Sequence, residues 1–214
     1  MIEPELVEQD SFNPDLIKTW QPISIDKCLE RFDCDKHTRE RREGTEMRWY
    51  TFCQIVNHLY EYPTQELVAG LVGRLATTAE QVRSQTGETF RLLEVAAGQG
   101  RLTVAVSQEL HKIGIEHHTL AVDNQDLYDG WSGVVGIAKK MDAESAAKSF
   151  LPHAILGAWL PLRDWTPTFR ALSTVQQYIF LGNPEQCGTQ AIWGDEPEVS
   201  SPDAFYIPEY AADG

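Results

Sequence analysis

The residues best suited to chemistry gather around one short turn. Leu92-Leu93-Glu94-Val95-Ala96-Ala97-Gly98-Gln99-Gly100-Arg101-Leu102 runs from an apolar stretch through two closely spaced glycines into a helical pattern. In a doubly wound sheet such a strand, turn and helix make a ligand site beyond the carboxyl end of the strand. Gly98 and Gly100 lack a Cβ, so the backbone can turn sharply and approach a bound molecule. N–H groups exposed at the helix start add a field that favours negative groups. Glu94 ends an otherwise apolar strand, where a carboxylate is costly unless it meets donors. Amides of the turn or a ligand ammonium would supply them. A dinucleotide site requires GxGxxG, and the third position here is Thr103, too large for the tight helix–strand packing of that motif.

The elements that must position this turn follow from the apolar pattern. From Phe90 onward short apolar runs alternate with helical segments. FRLLEVA, HTLAVD, HAILGAWL and QQYIFLG read as strands, LTVAVSQELHKI and AESAAKSF as helices, and a third strand lies within VVGIAKKM. Continuous apolar strands separated by helices imply a parallel sheet covered on both faces. The expected class is α/β, a Rossmann-like doubly wound, mostly parallel sheet with an N-terminal helical extension. That extension, residues 46–86, reads as two helices, EMRWYTFCQIVNHLYEY and a second one after Pro63. The second has Thr64 as its N-cap and a one-turn apolar stripe of Leu67, Val68, Leu71, Val72 and Leu75, with Gly87 as the stop. Residues 1–45 are a polar arm punctuated by Pro4, Pro14 and Pro22, and residues 195–214 an acidic tail.

At 214 residues, 42% hydrophobic and 23% charged, the chain has the composition of a soluble globular domain. No apolar run approaches the roughly 20 residues of a membrane helix, and MIEPELVEQDSF has no apolar core of the signal-peptide kind. A cytoplasmic protein without a membrane partner is expected. The net charge is −14, and half of it comes from the region after Arg170, which has seven acids and no Lys or Arg. Such a surface repels a phosphate backbone, so nucleic acid is not an expected partner. Lys36 to Arg48, with Arg39, Arg41, Arg42 and Arg48, reads as a solvated helix face, the alternative being a local basic patch. Cys28, Cys34, Cys53 and Cys187 form no CxxC pair. Cys28, Cys34 and His37 fit no common zinc spacing and lack a fourth ligand, so no metal site is expected.

Glu94-x-Ala96-x-Gly98-x-Gly100 resembles the E/DxGxGxG signature of class I S-adenosylmethionine-dependent methyltransferases, with Ala96 in place of the first glycine. Alanine fits there if φ need not be positive, and that is the expectation. The resemblance implies S-adenosylmethionine as cofactor, with Glu94, Ala96, Ala97, Gly98, Gly100 and Arg101 around it. It implies further contacts at three strand ends. Asp123, 23 residues beyond Gly100 and followed by Asn124, would accept both ribose hydroxyls; the alternative is an Asp that ends a strand. Met141 and Asp142 would meet the adenine, while Asp142 is equally well placed to cap the helix AESAAKSF. Ala158 and Trp159 would face the methyl group and substrate, or Trp159 would be a core residue. The stretch from Trp159 through Pro161, Asp164, Trp165, Thr166, Phe169 and Arg170 to the strand at Tyr178–Gly182 is similar to methyltransferase-like proteins without assigned substrates. The resemblance spans about residues 46–194.

The family's complete sheet has seven strands, the last two an antiparallel hairpin. After Leu181 only QAIW and AFYIP are extended candidates, so the hairpin is expected to be absent or replaced. An open edge is a liability, to be covered by the N-terminal arm, a second copy or a partner chain. Asn183-Pro184-Glu185 follows the fifth strand rather than the fourth, which sets it apart from the NPPY motif of base-modifying methyltransferases. The expected reaction is displacement at a sulfonium methyl toward a small-molecule hydroxyl or amine acceptor. The protein then aligns and shields the reactants, with a base where a proton must leave. His58, Tyr60, Tyr62, His153 and Asp164 are contributors in principle, and none is singled out as catalytic. The rival expectations are a binding or assembly module on the same fold, and an enzyme that uses the sulfonium for non-methyl chemistry.

Overall fold

The computed structural model describes residues 21–24, 26–28, 30, 63–124, 137–182, 187–189 and 191. The first expected helix (46–62), Lys36–Arg48, Cys34, His37, Cys53, His58, Tyr60, Tyr62, Asn183–Glu185, AFYIP and the acidic tail lie outside these residues. Of QAIW only Ala191 lies within them.

Five strands form one all-parallel sheet: β1 (Phe90–Val95), β2 (His117–Asp123), β3 (Lys139–Lys140), β4 (Ala154–Ala158) and β5 (Gln177–Leu181), in the order β3-β2-β1-β4-β5. Helices α1 (Gln65–Thr86), α2 (Arg101–Lys112), α3 (Ala143–Phe150) and α4 (Thr166–Arg170) flank it. This is the expected Rossmann-like α/β arrangement. Alternation along the strands divides the core into two layers. Phe90, Leu92, Ala154 and Leu156 pack with α1 and α2, while Leu93, Val95, Val122 and Ile155 pack with Ala143, Ala146 and Ala147 of α3 and Phe169 of α4. Burying Leu71 or Leu75 of α1 contributes about 1.5–3 kcal/mol each.

Local chemistry sets the helix ends. Thr64 caps α1 by accepting from Leu67 N–H at 3.2 Å, and Gly87 closes it at φ 71°. The arm docks on the same end, where Ile23 O accepts from Gln65 N–H at 2.8 Å and Cys28 is fully buried. Helix α4 was not anticipated from the sequence. Asp164 accepts from Thr166 N–H at 2.9 Å and from the Thr166 hydroxyl, and Pro167 fits a first helical turn.

Two expected strands end early, for one reason. FRLLEVA stops at Val95 because Ala96 turns to φ 52°, and HAILGAWL stops at Ala158 because Trp159 turns to φ 51°. Among the described residues of VVGIAKKM, 137–141, Lys139 and Lys140 pair, beside Val122 and Asp123. Among the described residues no strand pairs with the outer side of β5, and no terminal hairpin is present. No helix among them is long and apolar enough to cross a membrane.

Candidate ligand site at the strand ends

The carboxyl ends of β1, β2, β3 and β4 bring together most of the residues expected to act. The register places Glu94 beside Ala121 on one side and Leu156 on the other, so its carboxylate lies within the sheet rather than beyond it. It is 3% exposed. Its Oε2 accepts from Thr103 N–H at 2.9 Å and from the Thr103 hydroxyl. The residue that departs from the dinucleotide motif is thus the donor that ties α2 to β1. No described residue donates to Oε1. Burial pushes Glu94 up to about 7, opposed by the two Thr103 bonds and reinforced by the negative charge of Asp123.

The turn is fixed from the other side by β2. Ala97 N–H donates to Val122 O at 3.0 Å, continuing the ladder past β1, and Gly98 N–H donates to Asp123 Oδ2 at 2.7 Å. No described residue donates to Asp123 Oδ1. Burial raises the Asp123 carboxyl, and the Gly98 bond opposes the rise.

Ala96 departs from expectation. Its φ of 52° lies in the left-handed region, which glycine occupies freely and alanine does not. The cause is the sharp reversal that takes the chain from β1 over to Val122 O. Gly98 (φ 54°) and Gly100 (φ 80°) complete the turn. A Cβ on Gly100 would stand 2.6 Å from Ile137 Cγ1, and Gln99 O accepts from Ile137 N–H at 3.0 Å, so the turn is clamped against the entry to β3.

Gln99 is a residue that sequence reasoning missed. It is 4% exposed, and neither atom of its carboxamide has a hydrogen-bond partner among the described residues. Its position between the two glycines was the available signal. Arg101 is buried as the first residue of α2, whose N-cap Gly100 offers no side-chain bond.

The remaining residues divide by role. Asn124 is exposed beyond Asp123. Met141 is exposed, and its N–H donates to Asp123 O at 3.2 Å. Asp142 caps α3, accepting from Ser145 N–H at 3.1 Å, and pairs with Arg163 at 3.4 Å. Ala158 is buried. Trp159 is partly buried against the α1–α2 layer, and its N–H donates to Leu181 O at 2.8 Å. A left-handed tryptophan at a strand end is a strained position of the kind that gathers at functional sites.

Two candidates for a base lie elsewhere. His153 precedes β4 at the opposite end of the sheet, where Arg91 N–H donates to its Nδ1 at 3.1 Å. Its Nε2 lies 3.2 Å from Glu88 Oε2 and 3.1 Å from Arg91 Nη2. Burial and the Arg91 charge hold His153 below its ordinary value. Asp164 is lowered by its two bonds from Thr166, which engage it in starting α4. Comparison with family models, with curated proteins and with solved structures yields no match to this chain.

Proposed function

We propose that the chain binds S-adenosylmethionine at the strand ends and transfers its methyl group to a small-molecule acceptor. The observation that carries this reading is the Asp123 carboxylate. One oxygen fixes the Gly98 turn and no described residue donates to the other, at the place where a nucleoside would present two vicinal hydroxyls. Glu94 has the same form, with one oxygen on Thr103 and the other without a described donor. The residues fit the cofactor on a further count. A buried carboxamide without a partner among the described residues, that of Gln99, lies in the turn, and leaving it unsatisfied costs about 1–3 kcal/mol.

In this reading Asp123 holds the ribose, while Glu94 and the turn amides flank the amino-acid end. Met141 and Asp142 border the adenine, and Ala158 and Trp159 form the wall toward the acceptor. Bound S-adenosylmethionine supplies an activated methyl on a cationic sulfur. The protein's part is to align the acceptor with that methyl and to keep water out. The engagement of His153 and Asp164 in structure favours one second reading, a module that binds the cofactor without transferring methyl. A cytoplasmic setting, and a second copy against the outer side of β5, belong to the proposal as well.

Calorimetric titration with S-adenosylmethionine and S-adenosylhomocysteine tests it. Micromolar binding is expected, weakened about a hundredfold in Asp123→Ala, because a charge-assisted hydrogen bond contributes about 1.5–3 kcal/mol. Asp123→Asn, which can still accept from Gly98, separates loss of ligand from loss of the turn. A folded wild-type chain that binds neither compound would overturn the reading. Binding without a methylated product from any hydroxyl or amine acceptor would support the module instead.

A further inference from the structure

Helix α2 ends in a way that fixes the start of β2. Gly114 stands at φ 80°, its N–H donates to His111 O at 3.0 Å, and Ile115 N–H donates to Leu110 O at 3.0 Å. This is a Schellman closure, in which a left-handed glycine turns the chain back over the last helical turn. Ile115 packs against the core of the α1–α2 layer. His117 follows as the first residue of β2, and its ring returns to α2.

That ring is held at both nitrogens. Nδ1 lies 2.8 Å from Ile115 O, and Nε2 lies 2.8 Å from Ser107 Oγ. A carbonyl oxygen only accepts, so Nδ1 carries a proton. In the neutral ring Nε2 then bears the lone pair and accepts from the Ser107 hydroxyl. The set comprises a nucleophile, a base within reach of its proton, and a third group that orients the base. Here the orienting group is a backbone carbonyl, held in place by the closure of α2. Other described serines differ. Ser84 donates to Gln81 O and Ser149 to Ser145 O, carbonyls of their own helices, while Ser145 donates to Asp142 at a helix cap. Ser107 and His117 are both partly exposed, so a small molecule can reach them. His117 begins β2 and Asp123 ends it. At about 3.3 Å per residue, the pair lies about 20 Å from the strand-end turn.

We propose that Ser107 is a nucleophilic hydroxyl, activated by His117, that accepts an acyl group from a small carboxylic ester. Oγ attacks the acyl carbon as its proton passes to Nε2. The ester C–O bond breaks, and the leaving oxygen takes that proton. The acyl group stays on Oγ until a water, giving its proton to the same Nε2, attacks the acyl carbon. The acid departs and the proton returns to Oγ. Nδ1 keeps its bond to Ile115 O throughout, which steadies the imidazolium that forms in each half. This second site stands apart from the S-adenosylmethionine reading, and neither needs the other.

The test uses the full chain and two probes. A phosphonyl fluoride should place one phosphonyl group on Ser107 with loss of fluoride. Peptide mapping should find Ser107 labelled at least about a hundredfold faster than Ser84 or Ser149, the gain that a positioned base gives. p-Nitrophenyl acetate should release p-nitrophenolate and leave acetyl on the same residue. Ser107→Ala should lose both reactions, and His117→Gln should slow each by about a hundredfold. A wild-type Ser107 that labels no faster than Ser84 and Ser149 overturns the proposal by itself, whatever the variants do. It would mean that the Ser107–His117 bond only ties α2 to β2. Ester cleavage that survives Ser107→Ala overturns it too, as does labelling at the wild-type rate in a folded His117→Gln chain. None of these outcomes bears on the strand-end site.

Discussion

Ala96 occupies the left-handed region at φ 52°, held there by the Ala97 N–H bond to Val122 O. A left-handed backbone costs a non-glycine residue about 1–2 kcal/mol, and glycine's extra freedom in the unfolded chain returns about 0.5–1 kcal/mol of that. Ala96→Gly is therefore expected to stabilise the chain by up to about 1 kcal/mol, read as a higher denaturant midpoint at unchanged slope. A loss of stability would show that the alanine methyl packs against its neighbours more favourably than the strain costs. Gly100 is the reverse case. Its φ of 80° and the Ile137 side chain, 2.6 Å from where a Cβ would stand, leave no room for alanine.

Asp142 shows how an element can claim a residue that the proposed ligand would also use. Its carboxylate accepts from Ser145 N–H and Oγ at the start of α3, and the same group meets Arg163 from the loop after β4. Removing such a cap costs about 1 kcal/mol. Asp142→Ala is expected to lose about that much in chemical denaturation, and Asp142→Asn to lose little, since asparagine caps as well as aspartate. If both variants unfold alike, the pairing with Arg163, rather than the cap, holds this end of α3. Helix α3 in turn fixes the end of β3 and so the neighbourhood of Met141, where the adenine would lie.

Across the whole molecule two buried titratable groups at opposite ends of the sheet give stability opposing dependences on pH. Glu94 lies higher in the folded chain, about 7, than its ordinary 4.5. The folded state therefore binds the proton more tightly, and stability falls as pH rises from about 4.5 to 7. His153 lies below its ordinary 6.5, so the unfolded state takes the proton first and stability falls as pH drops below that value. Glu94→Gln removes the first dependence. Its melting temperature relative to wild type is expected to rise by at least about 3 °C from pH 5 to pH 8. His153→Gln removes the second and leaves stability falling more steeply with rising pH. Parallel curves for Glu94→Gln and wild type would mean that Glu94 stays ionised throughout. His153 also closes the far end of the sheet. Arg91 N–H and Glu88 grip its ring, and its own N–H donates to Arg91 O at 2.8 Å, so β1 and β4 start in register.

The sequence by itself determined the parallel sheet, the two helical layers, the cap and stop of α1, and the turn between β1 and α2. Each rests on local rules of apolar period, side-chain capping and absent Cβ atoms, which a linear reading can see. Asp123 was legible because a carboxylate at a strand end stands out against apolar neighbours. Only the tertiary structure decided that Thr103 answers Glu94, because two residues nine apart meet only when α2 folds back over β1. Only it turned Ala96 and Trp159 into left-handed conformations, since φ there is set by the route to Val122 and Leu181 on neighbouring strands. Only it carried His153 to the far end of the sheet and Asp164 to the start of α4. Both had the chemistry of a base, and their positions, fixed by long-range pairing, gave them other work.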